Sequence, residues 1–364
     1  MASISDAVIK AGRQISEIVL RRQEVLPFDD GPMPDLSPMW AALRADPRAI
    51  FNPFDLGWEL IRPDFFKKTD FASPPGDPGW FGPDSAAWYV HTHTPTVLLG
   101  LINTAIIDII HQDIQAGVYA HSKLVGRHPD GSVRSGTLSG NGLIIRAGHS
   151  FSFFTGVVYG SSATAESLCQ TVKAMHHTVK GVRPDGKAYD ADDPEFFRWT
   201  YASVVSGIAG GHERYHPKPL KGADLDQFYL EYTKVGEALG GTDLPKTKAE
   251  CRRVLVESPA AASIAINAEN IRYVDLLRPA GHTLTRPAYA FLNWLIMDML
   301  PLPAQRVVGF RQPNPVVRQA YRSLAWAMVN TPHFLGELRE IEQAQQRVAR
   351  LAPQLRPDVE TAAV

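Results

Sequence analysis

Apolar residues recur every three or four positions through most of the chain from Pro83 to about Leu239. This spacing places them on one face of a helix and is typical of packed helices, whereas a half-buried strand alternates apolar and polar residues. Sustained alternation is hard to find in this sequence. The final third, from Pro245 to Leu351, also reads as helices. We therefore predict an all-α fold.

Two turn-rich connections interrupt this helical pattern. One runs from Arg127 to Gly142, and the other runs from Gly181 to Pro194 and contains a P-D-G turn signal. We expect helices on both sides of each connection.

The part of the chain before Pro83 differs from the rest because it holds much of the proline, with helical patches such as MWAALRADPRAIF between the prolines. Elsewhere no Gly/Ser-rich linker and no internal repeat marks a boundary. We predict a Pro-rich N-terminal arm with short helices over residues 1–82, a single helical domain over 83–353 and a flexible tail over 354–364.

The most apolar segments of the chain are Val97 to Ile110 and Ala288 to Leu300. Each is shorter than the roughly 20 residues that a membrane-spanning helix needs, and each contains Asp and Asn. We interpret both segments as buried core helices.

The clearest helix signal extends from Ser161 to Lys180, with Gly181 as its C-terminal stop. Ser161 and Ser162 offer N-caps. The apolar stripe of this helix consists of Ala165, Leu168, Val172, Met175 and Val179. At about 100° per residue, His176 lies roughly 40° from Val172 and falls within the stripe, whereas His177 points to its flank. His176 therefore faces the interior, either as a hydrogen-bonded core residue or as a ligand.

Other histidines carry weaker signals. His149 follows Arg146 by three residues, so both side chains share one helix face, as a surface or cap pair would. His91 and His93 form an H-x-H pair without a nearby third metal ligand. The remaining histidines of note read as structural or solvated: His111, His121, His128, His212 and His216.

Composition excludes several classes of protein. With 37 basic and 38 acidic residues the net charge is -1, so no general attraction to nucleic acid exists. Cys169 and Cys251 are the only cysteines, too few for a disulfide framework or a thiolate metal cage. The N-terminus lacks the apolar stretch of a secretory signal, and no P-loop, G-x-G-x-x-G or G-x-S-x-G motif occurs. We expect a cytoplasmic protein without a transmembrane segment.

Six motifs between Asp84 and Leu239 resemble, in their order and spacing, the rubber oxygenase (latex clearing protein) and mpaB-like haem oxygenase family. The resemblance implies a catalytic domain with a globin-like helical core that binds iron as haem b, flanked by additional N- and C-terminal helices. The motifs are DSAAWYVHTHTPTVLLG, IIHQDIQAGVYAHS, RAGHSFSFFTGVVYG, MHHTVKG, AYDADDPEFFRWTYAS and FYLEYTKVGEALG.

The resemblance also implies roles for individual residues. The family's proximal axial ligand is the histidine of an H-x-x-V-x-G segment, and His176 matches it here. The family's distal Arg, a basic residue three positions later and the Thr after it correspond to Arg146, His149 and Ser150. The last two depart from the family pattern, and an imidazole at His149 could bind the iron or act as an acid or base.

Four more residues are candidate contacts of the cofactor. Lys180 and Arg183, at and just past the end of the predicted helix, could pair with haem propionates. Trp199 and Tyr201 lie where the family often has Trp-Val-His-Ala, and they could line the core or the pocket. Cys169 reads as a packing residue.

The expected activity, by this resemblance, is a haem-dependent oxidation or cleavage of a hydrophobic, unsaturated, isoprenoid-like small molecule with O2. Arg146 and His149 would donate hydrogen bonds on the distal side. The same pair suits a haem peroxidase or peroxygenase that uses H2O2. A third alternative is a non-catalytic haem-binding or sensor protein with both His149 and His176 on the iron.

Overall fold

The computed structural model describes residues 35–60, 62, 69–267, 270–271 and 286–349, and these are mostly helical, as predicted. Helices in the first half of the chain are α1 (Ser37–Ala45), α2 (Pro53–Trp58), α3 (Ala86–Thr92), α4 (Thr94–Ile110), α5 (Gln112–His121), α6 (Gly140–Tyr159) and α7 (Ser162–His176). Those in the second half are α8 (Pro194–Tyr215), α9 (Ala223–Ala238), α10 (Lys248–Glu257), α11 (Arg286–Met297), α12 (Leu302–Val307), α13 (Pro315–Leu335) and α14 (Arg339–Ala349).

Helices α4 and α8 form the centre of the fold and approach each other at their backbones. A Cβ atom added to Gly100 would lie 2.3 Å from the carbonyl oxygen of Gly207, and one added to Gly211 would lie 2.2 Å from that of Thr96. Only glycine fits at such a contact, because any larger side chain would overlap the opposite backbone. Gly100 of α4 and the glycines of α8 therefore determine how closely the two central helices pack.

Both apolar segments are core helices, as predicted. Ile106, Ile107 and Ile110 of α4 are buried, as are Trp294 and Leu295 of α11. Among the described residues, no single helix is long and apolar enough to cross a bilayer. The pair α3 and α4 reaches that length and apolarity only when both are taken together, and they are bent by 93°.

The two turn-rich connections are small antiparallel hairpins flanked by helices. In the first, β1 (Val125–Arg127) pairs with β2 (Val133–Leu138). In the second, β3 (Lys180–Val182) pairs with β4 (Ala188–Asp190) around the predicted P-D-G turn, where the amide of Gly186 donates to the carbonyl of Arg183 at 2.9 Å. The turns and the flanking helices were predicted, whereas the strands were not.

The helix predicted from Ser161 to Lys180 is shorter than expected, because α7 ends at His176. Met175 is 48% exposed, and Val179 lies outside the helix, so neither belongs to its buried stripe. Gly181 is a strand residue opposite Tyr189 and not a helix stop. Extended backbone is favoured here because Thr178 and Val179 are β-branched and the strand gains its partner from residues further along the chain.

The N-terminal arm packs on the core and is fastened by the C-terminal helix. Trp58 and Phe71 are buried in the main apolar cluster. Arg347 of α14 is fully buried and donates hydrogen bonds to the carbonyls of Phe71, Asp77 and Gly160 at 2.9, 2.7 and 3.2 Å. The first 34 residues of the predicted arm and the tail predicted over 354–364 lie outside the described residues.

Candidate functional site

The candidate site begins where α6 and α7 pack against each other. The chain turns at Gly160 and Ser161, and Ser161 caps α7 as predicted, accepting a hydrogen bond from the amide of Thr164 at 3.2 Å. Gly156 of α6 lies against Leu168 of α7, where an added Cβ would come within 2.2 Å of the leucine side chain. The end of α7 is thereby directed toward the first half of α6.

His176, the last residue of α7, is half-buried, and no described residue forms a hydrogen bond with its imidazole. Burial lowers its pKa below the ordinary value, and the positive charge of Arg146 on α6 lowers it further, outweighing the opposite effect of Asp192. The ring is therefore neutral at neutral pH, with a nitrogen lone pair available to a ligand.

His177 differs from His176 both in its exposure and in having a side-chain partner. Its side chain is 75% exposed, and Nδ1 lies 2.5 Å from a carboxylate oxygen of Asp192. The prediction that His176 and not His177 turns inward is confirmed.

Arg146, His149 and Ser150 all lie on α6, so the expected helix at the R-x-x-H segment is present. Arg146 and His149 are exposed and Ser150 is half-buried. The pKa of His149 is lowered by partial loss of solvent and by the nearby positive charges of Arg146 and Lys123. The His149 ring is therefore biased toward its neutral form, in which one nitrogen can accept a proton.

Asp108 is a residue of this region that sequence analysis missed. It lies on α4, and its Oδ1 is buried with no hydrogen-bond partner among the described residues. Burial raises its pKa to about 7, although the charge of Arg146 opposes the shift. Its signal in the sequence was an acidic residue within an apolar helix, which we had considered only as an interruption of a membrane span. Arg146 thus acts electrostatically on Asp108, His149 and His176.

Lys180 and Arg183 both have carboxylate partners in this structure. Lys180 lies in β3, with Nζ at 3.1 Å from Asp190 and 3.2 Å from Asp192. Arg183 is buried and donates to Asp113 at 2.8 Å, and it also pairs with Asp185. A haem propionate would therefore have to displace these partners.

Trp199 and Tyr201 are core residues of α8, but they belong to different apolar clusters. Residues two apart on a helix lie about 200° apart around its axis, so the two side chains face opposite sides. Trp199 is fully buried, and its ring centroid lies 4.4 Å from that of His111. The two residues therefore do not line one side of a common cavity. Cys169 is buried in an apolar cluster, as expected for a packing residue.

The two imidazoles of the H-x-H pair have different partners. His91 Nε2 lies 3.1 Å from the Tyr232 hydroxyl, whereas His93 Nε2 lies 3.0 Å from the Asn330 side-chain oxygen. Within the described ranges, no three His, Cys, Asp or Glu side chains converge as a metal-binding group. Instead the ring of His216 packs against those of His93 and His212, with centroid distances of 5.0 and 4.3 Å.

Residues 88–330 match the family described as ER-bound oxygenase mpaB/B'/Rubber oxygenase, catalytic domain. The match covers more than half of the 364 residues. The chain belongs to the mpaB/rubber oxygenase family. It is accordingly an oxidoreductase of the oxygenase type, which implies a small-molecule substrate and O2. The family match extends beyond Leu239, where the motif resemblance ended, and ends within α13. No curated protein and no solved structure matches the chain.

Proposed function

We propose that this protein is a haem b-dependent oxygenase with a globin-like helical core, and that His176 is the proximal axial ligand of the iron. The proposal rests on the environment of the His176 imidazole. The ring is half-buried and biased toward the neutral form, and no described residue hydrogen-bonds it. These are the properties that an axial ligand requires, and they occur within an oxygenase-family domain.

The donor set of this region fits a haem. Haem iron needs a single protein ligand, so a three-residue metal cluster is not required. The buried Oδ1 of Asp108 is a polar atom with no partner among the described residues, which is common near ligand sites. When bound, haem supplies the activation of O2 that none of the amino-acid side chains can provide.

The side chains of α6 would act on the distal side. Arg146 is a permanent cation whose N–H groups can donate hydrogen bonds to a developing negative charge. His149 can hold or accept a proton at one ring nitrogen, and the hydroxyl of Ser150 can donate a hydrogen bond.

The substrate that we propose is a hydrophobic, unsaturated, isoprenoid-like molecule. Directly after Ser150, α6 continues with Phe151, Phe153 and Phe154. Phe151 and Phe154 line a narrow, mainly apolar cavity together with Trp58, Leu98 and Leu101. The cavity is only about 20 Å³, so an apolar chain would lie along these rings after the side chains move apart. The charged groups of Arg146 and His149 are within about two turns on the same helix.

Haem retention tests the ligand assignment. We expect the purified protein, supplied with haem if it is colourless, to show a stoichiometric Soret band that shifts with carbon monoxide after reduction. His176→Ala should lose most of the bound haem, whereas the matched control His177→Ala should retain it, because His177 is exposed and paired with Asp192. Full haem binding by His176→Ala would refute the assignment.

Oxygen uptake tests the reaction. Squalene is a suitable probe because it is a hydrophobic hydrocarbon with many carbon-carbon double bonds, and squalane is its saturated control. We expect squalene-dependent O2 consumption and carbonyl products from the haem-loaded protein, with none from squalane. Equal uptake with both hydrocarbons, or none with squalene and with shorter unsaturated isoprenoids, would contradict the proposed substrate class.

A peroxidase or peroxygenase is a second candidate, favoured by the lowered pKa of His149 beside Arg146. A neutral imidazole can remove a proton from H2O2, and an adjacent arginine can stabilise the negative charge that develops. This candidate predicts peroxide-driven oxidation without O2 that falls in His149→Ala while haem is retained. The oxygenase predicts turnover that stops when O2 is removed.

A further inference from the structure

A cleft with a volume of about 740 Å³ lies at the C-terminal end of α8, between that helix, Met299 and α13. Trp199, near the start of α8, is sixteen residues before Tyr215, which lines the cleft. At about 1.5 Å per residue, the cleft is roughly 24 Å along α8 from Trp199. The start of α8 follows the β3–β4 hairpin, which comes directly after His176 in the chain. The cleft therefore lies at the opposite end of α8 from that hairpin. A cleft of this volume accommodates a small organic molecule.

Two polar groups that line the cleft have no partner among the described residues. Tyr215 is only 1% exposed, and its buried hydroxyl has no hydrogen-bond partner among the described residues. Nε of Arg322, on α13, is also buried without an acceptor. The Tyr215 hydroxyl is close enough to Arg322 to be affected by its charge. Buried polar groups usually have partners, so both donors point to a ligand that supplies an acceptor.

The charges around the cleft indicate the charge of that ligand. Glu213 is neutralised by Lys248, whose Nζ lies 2.6 Å away. Arg214 is neutralised by the buried carboxylate of Asp298. Arg322 has no ion-pair partner within the described part of the chain. One positive charge therefore remains uncompensated, which matches an anion with a single negative charge.

The apolar side of the cleft is formed by Met299 and by Trp326, whose side chain is 44% exposed. A planar guanidinium suits a planar carboxylate, and an exposed indole suits an apolar or aromatic body beside it. We propose that this cleft is a second ligand site, which binds a small monocarboxylate through Arg322 and Tyr215 and places the apolar part of the ligand on Trp326.

Calorimetric titration of the full-length protein tests this proposal. The probes are phenylacetate, its uncharged analogue phenylacetamide, and inorganic phosphate. We expect phenylacetate to bind about tenfold or more tightly than phenylacetamide, because only the carboxylate forms charge-assisted hydrogen bonds with Arg322. Phosphate should bind more weakly than phenylacetate, since it carries more negative charge than the cleft offsets and has no apolar body.

Three variants complete the test. Arg322→Gln should weaken phenylacetate binding by about 10- to 100-fold, and Tyr215→Phe should weaken it by a smaller factor. Arg306→Gln is the control, because Arg306 is an exposed arginine on the neighbouring α12 and does not line the cleft. His176→Ala should bind phenylacetate normally, which separates this site from the proposed haem site.

Several results would overturn the proposal. These are no phenylacetate binding by the wild type at millimolar concentration, equal binding of phenylacetamide or phosphate, or unchanged binding in a folded Arg322→Gln variant. If Arg322→Gln does not give a native circular dichroism spectrum, Tyr215→Phe decides, and unchanged affinity in that variant would overturn the proposal.

Discussion

Among single residues, Asp108 makes the candidate site sensitive to pH in an unusual direction. Its pKa in the folded protein is raised from 3.8 to about 7, so the folded state holds a proton that the unfolded state releases. The stabilisation from this group is complete below its unfolded pKa and is lost as the pH rises toward 7. We expect Asp108→Asn to become more stable relative to the wild type between about pH 5 and about pH 8. Thermal unfolding midpoints of both proteins at these two values measure the effect, and an unchanged difference would contradict it.

The histidine ring cluster should respond to pH in the opposite direction. His212 is fully buried, its Nε2 accepts from the amide of Leu220 at 2.9 Å, and burial lowers its pKa to about 3. Below an unfolded pKa of about 6.5 the unfolded state gains a proton that the folded state excludes, so stability falls as the pH falls from there toward 3. His212→Gln should show a shallower loss of stability in acid than the wild type, measured by urea unfolding at several pH values. Parallel curves for the two proteins would argue against this role.

Side-chain direction could be predicted at some of these positions and not at others. The helical period of α7 separated His176 from His177, because His176 ends the helix and His177, directly after it, keeps a helical backbone conformation. The same reasoning could not find the partners of Arg183, since Asp113 is seventy residues earlier and is brought there by the tertiary fold. Whether Asp108 Oδ1 has a hydrogen-bond partner likewise depends on the surrounding tertiary structure. The sequence shows only an acidic residue in an apolar helix.

Between elements, the contact of α4 with α8 depends on glycine. A Cβ at Gly207 would lie 2.1 Å from the Thr104 hydroxyl oxygen and 2.8 Å from the carbonyl oxygen of Gly100. Gly207→Ala should therefore force the helices apart and reduce the free energy of unfolding by about 1–3 kcal/mol. Gly210→Ala is a matched control on the same helix, since nothing lies within 4 Å of its added Cβ.

The control should be stabilised by about 0.5–1 kcal/mol, because alanine has a higher helix propensity than glycine. Urea unfolding of both variants beside the wild type measures the two changes. Equal effects of Gly207→Ala and Gly210→Ala would show that backbone contact does not set the spacing of α4 and α8.

Periodicity predicted the presence of the helices more reliably than their ends. The apolar stripes of α4, α7 and α11 are local properties of the sequence, so those helices could be predicted. The end of α7 could not, because residues 180–182 gain more from pairing with Ala188–Asp190 than from continuing the helix. That competition involves residues on the far side of a turn, which a local pattern does not include.

Across the whole molecule, the two ends of the described chain are joined through Arg347. Its guanidinium donates to three backbone carbonyls, two in the arm and one at the α6–α7 turn. Arg347→Met should reduce the free energy of unfolding by about 2–5 kcal/mol, because it leaves buried carbonyls without donors. Arg339→Gln, on the same helix, is the control.

Arg339 is 51% exposed and pairs at the surface with Glu59, and such pairs contribute about 1 kcal/mol or less. Chemical unfolding curves of the two variants give both values. A loss in Arg347→Met no larger than that in Arg339→Gln would show that the arm is held by its apolar contacts alone.

The contacts between the arm and α14 can form only late in synthesis. The ribosome makes the arm before α14, so Arg62 cannot contact Glu340, and Phe71 cannot contact Arg347, until α14 has emerged. The family match ends at residue 330, within α13, so all of the matched residues are translated before α14. Before α14 emerges, the arm would therefore be held on the core by apolar contacts such as those of Trp58, and the emergence of α14 would add the polar contacts that Arg62 and Phe71 make with it.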